Sequence, residues 1–151
     1  MIKRIEQMAG LPWTTLFVLA SLGVPRVVAH DLGLVDPHGA VNRLLVGLPI
    51  AVWLIYVVWK NVKRPFLAWF SIGLLYGILL AVVHQLLWNF VFEAPIQLGG
   101  NLSHLSGAMG TLIARAFAFI SSVTTGAVMG IIVGVVGSIV HYVVNGIIRK
   151  W

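Results

Sequence analysis

The chain has 151 residues, of which 60% are hydrophobic and 9% are charged, and its mean hydropathy is +1.00. A soluble domain of this length cannot bury so much apolar surface, so the composition excludes a water-soluble globular protein. The chain has no cysteine, which excludes disulfides, thiolate metal sites and redox chemistry through cysteine pairs. The composition therefore predicts an integral membrane protein.

Four apolar stretches are long enough to cross a bilayer as helices, with approximate spans 11–29, 38–60, 65–92 and 112–148. Each reaches about 20 residues, the length that about 30 Å of hydrocarbon requires. No stretch alternates strictly between polar and apolar residues, as the strands of a membrane barrel do. We therefore predict an all-α, polytopic protein with a single transmembrane domain covering residues 1–151 and with outer loops at 30–37 and 93–111.

The flanks of the first span carry several helix signals. Residues 1–10 place apolar side chains about one turn apart between charged and polar ones, which predicts a short interfacial helix. The competing interpretation is a signal peptide, which the basic start, the following apolar stretch and Val27-Val28-Ala29 resemble. Pro25 and Arg26 should kink or stop the first span. Asp36 followed by Pro37 is typical of a helix start, so the second helix is expected to begin there.

Most of the basic residues fall on one side of this four-span arrangement. Seven of the ten are Lys3, Arg4, Lys60, Lys63, Arg64, Arg149 and Lys150. By the positive-inside rule, both termini are then cytoplasmic, in a multi-pass protein of the cell (plasma or inner) membrane. We interpret the basic residues as topology signals and contacts with lipid head groups, so the expected partner is the lipid bilayer and not nucleic acid.

A small residue stands at every fourth position of the last span. The part best suited to contact another helix contains Ser122, Gly126, Gly130, Gly134 and Ser138. In lipid, such a ridge lets a second backbone approach closely. The partner is either another helix of the same chain or a second copy, and a pore lined by the neighbouring register is a third, less favoured alternative. We expect a homo-oligomer or association with another membrane protein.

Four of the five histidines fall on the predicted outer side, together with carboxylates. The candidate metal ligands are His30, Asp36, His38, His84, Glu93 and His104. Imidazole and carboxylate suit zinc, manganese or iron, but the spacing matches no metal motif with known mechanics. Asp31 is interpreted as a residue of the lipid boundary that pairs with Arg26 or Arg43. His84 lies inside a predicted span, where a polar group normally faces the bundle or a water-filled cavity, so the cluster could also handle protons.

The sequence favours a small non-catalytic membrane protein without a cofactor. This would be an oligomeric transporter or channel, or an accessory subunit of a membrane assembly, that associates through the fourth helix. The alternative is a membrane-embedded enzyme in which the outer histidines and carboxylates hold a divalent metal such as zinc and activate water. No serine nucleophile motif or phosphate-binding glycine loop supports an enzyme.

Overall fold

The computed structural model describes residues 2–92, 94, 96–105 and 107–148. Within these residues the chain is helical and contains no strand. Its elements are α1 (Ile2–Ala9), α2 (Trp13–Ser21), α3 (Val24–Asp31), α4 (Ala40–Trp59), α5 (Pro65–Val91), a 3-10 turn (Gly100–Leu102) and α6 (Gly107–Ile148). Four segments are long and apolar enough to cross a membrane, namely Trp13–Asp31, Ala40–Trp59, Pro65–Val91 and Gly107–Ile147. The prediction of an all-α chain with four such helices is confirmed.

The short helix α1 is tied to the start of α2. The Glu6 side chain accepts a hydrogen bond from the backbone N–H of Trp13 at 2.7 Å, which satisfies one of the free amides in the first turn of α2. Gly10 makes the turn between the two helices with a φ of +69°, a conformation that side chains disfavour. The helix predicted for residues 1–10 is therefore present.

The first candidate span consists of two helices, α2 and α3, joined by Leu22 and Gly23. Pro25 stands in the first turn of α3, where its missing N–H leaves no hydrogen bond unmade. Gly23 lies against α5, because a Cβ there would come within 2.5 Å of the Tyr76 ring. The interruption that Pro25 predicts is thus present, immediately before the proline.

The helix α4 begins at Ala40 and not at the Asp36-Pro37 pair. Asp36 Oδ1 instead accepts the backbone N–H of His38 at 2.9 Å, which closes a turn. Gly39 then precedes the helix in an extended conformation without a side-chain cap. The predicted start was too early because the Asp36 side chain stabilises a local turn in competition with the helix.

The backbones of α5 and α6 touch near the centre of the bundle, where the two helices run antiparallel. A Cβ on Gly73 would lie 2.6 Å from Gly130 N and 2.7 Å from Gly126 O. A Cβ on Gly77 would lie 2.9 Å from Val123 O. Only glycine allows an approach this close. The small-residue ridge of α6 thus packs on α5 of the same chain, which was one of the two alternatives that the sequence left open.

The remaining ridge residues extend this contact along α6. Ser122 is 5% exposed and donates to Ala118 O at 2.7 Å, and Gly134 faces the Phe66 ring. Ser138 donates to Gly134 O at 2.6 Å. A second copy could reach Gly126 and Gly130 only by displacing α5, so self-association through the centre of the ridge is not supported.

Two buried tryptophans fill the bundle between α4, α5 and α6. Trp69 and Trp53 are 0% and 2% exposed, and the Trp69 indole N–H donates to Trp53 O at 3.2 Å. The Trp53 indole N–H donates to Leu19 O at 2.6 Å, and the Trp69 ring lies against Gly137. We call Trp53, Trp69 and Gly137 the tryptophan layer. It separates the end of the bundle that carries His30, His84 and Arg115 (the histidine end) from the end that carries the 60–64 turn (the basic end).

Candidate functional site

Asp31 and His84 form a short polar contact between α3 and α5. Asp31 Oδ2 lies 2.5 Å from His84 Nδ1, and Asp31 Oδ1 lies 3.5 Å from His30 Nδ1. The Asp31 side chain is 8% exposed, so its carboxylate depends on such partners to offset the loss of water. Because His84 uses Nδ1 for Asp31, its Nε2 atom is the ring nitrogen that Asp31 does not engage. The Asp31–His84 pair is the candidate functional site.

The structure places Asp31 with imidazoles and not with the arginines that the sequence suggested. Arg26 Nε donates to Asn42 Oδ1 at 3.2 Å, and an Arg43 side-chain N–H donates to His38 O at 2.9 Å. In the described part of the chain, the ion pairs within 4.0 Å join Asp31 to His30 and His84. The reason is local, because α3 ends at Asp31 beside α5 and directs the carboxylate toward His84.

Two adjoining cavities flank the Asp31–His84 pair. The larger has a volume of about 470 Å³ and is partly open at the histidine end, while the smaller has a volume of about 210 Å³. Five residues line both cavities, namely His30, Asp31, His84, Ser121 and Ser122. The larger cavity is otherwise apolar, with walls of Trp88, Val91, Phe92, Ile96, Ala114 and Ala118. The smaller one adds Arg26, Val27, Leu80 and Thr125.

A third cavity of about 160 Å³ continues this series toward the tryptophan layer. It shares Arg26 and Thr125 with the smaller cavity and reaches Tyr76 and Trp53. Along α5, the three cavities extend from Phe92 to Tyr76, which corresponds to about 24 Å at 1.5 Å per residue. We call this series the crevice. It opens at the histidine end and stops at the tryptophan layer.

Arg115 fixes the wall of the crevice at the histidine end. Its guanidinium donates to Asn89 Oδ1 at 3.0 Å and lies 5.0 Å from the centre of the Trp88 ring. The Gln85 side-chain N–H donates to Arg115 O at 3.1 Å. No prediction from the sequence concerned Arg115. The feature that could have indicated it is a pair of amide side chains one turn apart on α5, Gln85 and Asn89, which need hydrogen-bond partners on a neighbouring helix.

The five predicted metal ligands that the structure describes do not converge on one site. Asp36 and His38 are exposed and form the turn before α4, and His104 is exposed in the segment before α6. His30 and His84 are close together, since both contact Asp31. Among the residues that the structure describes, no group of three His, Cys, Asp or Glu side chains could hold a metal ion. The sixth candidate is Glu93, which lies outside the described residues.

The chemistry available at the crevice is hydrogen bonding and proton exchange. An imidazole held by a carboxylate can accept or donate a proton at its free nitrogen. The Ser122 hydroxyl is already used as a donor to Ala118 O, and the described hydrogen bonds of His84 include no hydroxyl group. The arrangement therefore lacks the bonded nucleophile and base of a hydrolase.

Comparisons with protein-family models, with curated proteins and with solved structures found no match.

Proposed function

We propose that the chain is a non-catalytic membrane protein with four spans and both termini in the cytoplasm. It binds a small ligand from the outer side of the cell membrane, as a transport protein or as an accessory subunit of a membrane assembly. The observation that carries this proposal is the crevice, which leads from the histidine end to the partly buried Asp31–His84 pair.

The distribution of charge supports the orientation. Lys60, Lys63 and Arg64 are exposed in the short turn between α4 and α5, at the basic end. Basic residues in short loops favour the cytoplasmic side. The mouth of the crevice at the opposite end would then face outward.

The tryptophan layer favours a binding site and not an open channel. Trp53 and Trp69 are buried, and each indole N–H has a partner, which supports a floor that closes the crevice toward the basic end. An outward crevice with a closed floor is the arrangement expected of a binding protein or of a transporter in one of its states. A metal-dependent enzyme gains no support from the described residues, because no three of their His, Asp or Glu side chains lie close enough together to hold a metal ion.

Association with a second copy or with another membrane protein is part of the proposal, on the side of α6 that faces away from α5. Ile132, Val136 and Ile139 share one helix face there and are 57%, 53% and 62% exposed. Within the membrane these side chains meet lipid or a partner helix.

The absence of native cysteine makes single-cysteine labelling a direct test. We expect a charged, membrane-impermeant thiol reagent added to intact cells to label Ser103→Cys and not Lys63→Cys, since both positions are exposed but lie at opposite ends. The same reagent should label Ser121→Cys and not its neighbour Ile120→Cys, since both positions are exposed but Ser121 lines the crevice and Ile120 lies on the apolar surface.

Two outcomes would contradict the proposal. Labelling of Lys63→Cys from outside would reverse the orientation. Equal labelling of Ser121→Cys and Ile120→Cys, or labelling of neither, would show that no water-filled crevice reaches Ser121.

A further inference from the structure

We propose that the crevice binds a compact organic acid, with its carboxylate in the smaller cavity beside Arg26 and its apolar body in the larger cavity against Trp88. This inference rests on the proposed function, because the ligand must enter from the outer side. It adds the chemical class of the ligand.

The charge of the smaller cavity favours an anionic group. Arg26 is permanently cationic, and its contacts are with Asn42 Oδ1 and the Tyr76 hydroxyl, neither of which is a carboxylate. The one carboxylate of this cavity belongs to Asp31, and each of its oxygens already faces an imidazole. Arg26 therefore presents a positive charge whose own hydrogen-bond partners are neutral, while the Asp31 carboxylate of the cavity is directed at the two imidazoles.

The donors of the smaller cavity also suit a carboxylate. A guanidinium presents several N–H groups in one plane and pairs well with two acceptor oxygens. Ser121 and Thr125 add hydroxyl groups to the same cavity, and His84 has a nitrogen that Asp31 does not use. A cationic head group would instead be repelled by Arg26.

The larger cavity suits a small apolar body. Trp88 is 6% exposed and is held in place by Arg115, and Phe92 and Ile96 continue the apolar wall. Ala114 and Ala118 leave space on the side of α6. A volume of about 470 Å³ lies within the usual range of about 300–1,000 Å³ for small-molecule sites.

The order of the two cavities argues against a membrane lipid. The polar cavity lies deeper in the bundle than the apolar one, so a ligand must enter with its charged group first. A bilayer lipid keeps its head group at the surface and its chains toward the interior, which is the opposite order. A free acid with a short, rigid body fits the arrangement.

Calorimetric titration of the full chain in detergent tests this inference, with 1-naphthoate as the probe and 1-naphthamide as its neutral match. Titration into empty micelles corrects for partitioning. We expect one saturable naphthoate site per chain, with binding at least about tenfold tighter than that of the amide, because a charge-assisted hydrogen bond is lost in the amide.

The matched variants are Arg26→Gln, Arg26→Lys and Arg43→Gln. Arg26→Gln should weaken naphthoate binding by about tenfold or more, and Arg26→Lys should retain part of it. Arg43→Gln removes the same charge from the same end but lies outside the crevice, so it should bind as the unmodified chain does. A melting curve of each variant shows whether the variant is folded. If Arg26→Gln is not folded, the affinities of the unmodified chain for naphthoate and naphthamide test the inference instead.

Equal affinity for naphthoate and naphthamide, or unchanged binding in folded Arg26→Gln, would overturn the inference. Tighter binding of 1-naphthyl phosphate than of naphthoate would overturn the choice of a carboxylate. Labelling of Ser121→Cys from outside together with no naphthoate binding would reject this inference alone, whereas a failure of that labelling rejects the proposed function itself.

Discussion

At the scale of single residues, Asp31 is the side chain whose substitution we expect to reduce the stability of the protein most. Asp31→Asn keeps the size of the side chain but removes the charge that faces His84 at 2.5 Å. Since the Asp31 side chain is only 8% exposed, we expect the free energy of unfolding to fall by about 1–3 kcal/mol. Denaturant unfolding in detergent, followed by circular dichroism, measures the change.

The matched control is Asp36→Asn at the same end of the molecule. Asp36 is exposed, and asparagine can still accept the backbone N–H of His38, so its effect should stay within about 0.5 kcal/mol. Equal effects of the two substitutions would mean that the Asp31–His84 contact contributes nothing specific to stability.

The sequence pointed to His84 but not to its partner. A histidine two turns inside an apolar helix must face a protein interior or water, and this property is visible in the sequence. Its partner Asp31 lies 53 residues away, at the end of α3. Which carboxylate reaches His84 depends on where α3 ends and how it crosses α5, and neither is encoded in local spacing.

At the scale of helices, the close approach of α5 and α6 predicts a sharp contrast between two glycines. A Cβ on Gly126 would lie 2.5 Å from Gly73 O, so Gly126→Ala must push the helices apart. Overpacking of this kind should destabilise the protein by about 1–3 kcal/mol. The change is measured as a shift in the unfolding midpoint in detergent.

Gly47→Ala is the matched control in α4. No described atom lies within 4 Å of a Cβ placed at Gly47, so the substitution should be neutral or stabilise the helix by up to about 1 kcal/mol. If Gly126→Ala were tolerated as well as Gly47→Ala, then α5 and α6 would not be packed backbone to backbone.

The positions of the helices could largely be predicted from the sequence, but which helices pack against each other could not. The third span was expected at 65–92 and is observed as Pro65–Val91, because its ends are marked by a proline and by aromatic residues. The small-residue ridge on α6 could also be identified in the sequence. Its counterpart on α5 consists of only two glycines, Gly73 and Gly77, and these indicate a helix contact only after α5 and α6 are known to face each other.

At the scale of the whole molecule, the four candidate spans could be predicted from composition, whereas the crevice required three-dimensional information. Apolar stretches of about 20 residues are enough to predict four candidate spans. The crevice instead arises because the first span is broken at Leu22 and Gly23, which lets the short helix α3 bring Arg26 and Asp31 to α5 and α6. The periodicity of the sequence does not predict how much space remains between packed helices.

The closed floor of the crevice predicts how far water reaches into the molecule. Thr125 is exposed and lines the two deeper cavities, whereas Ser138 directly follows Gly137 of the tryptophan layer on the same helix. We therefore expect a small, charged thiol reagent added from outside to modify Thr125→Cys in reconstituted vesicles and to leave Ser138→Cys unmodified. Because Ser138 is itself partly exposed, its protection would reflect the layer and the surrounding lipid rather than burial of the side chain. Modification of Ser138→Cys from outside at a rate comparable to that of Thr125→Cys would show that the tryptophan layer is permeable, and a channel would then become the better description of this protein.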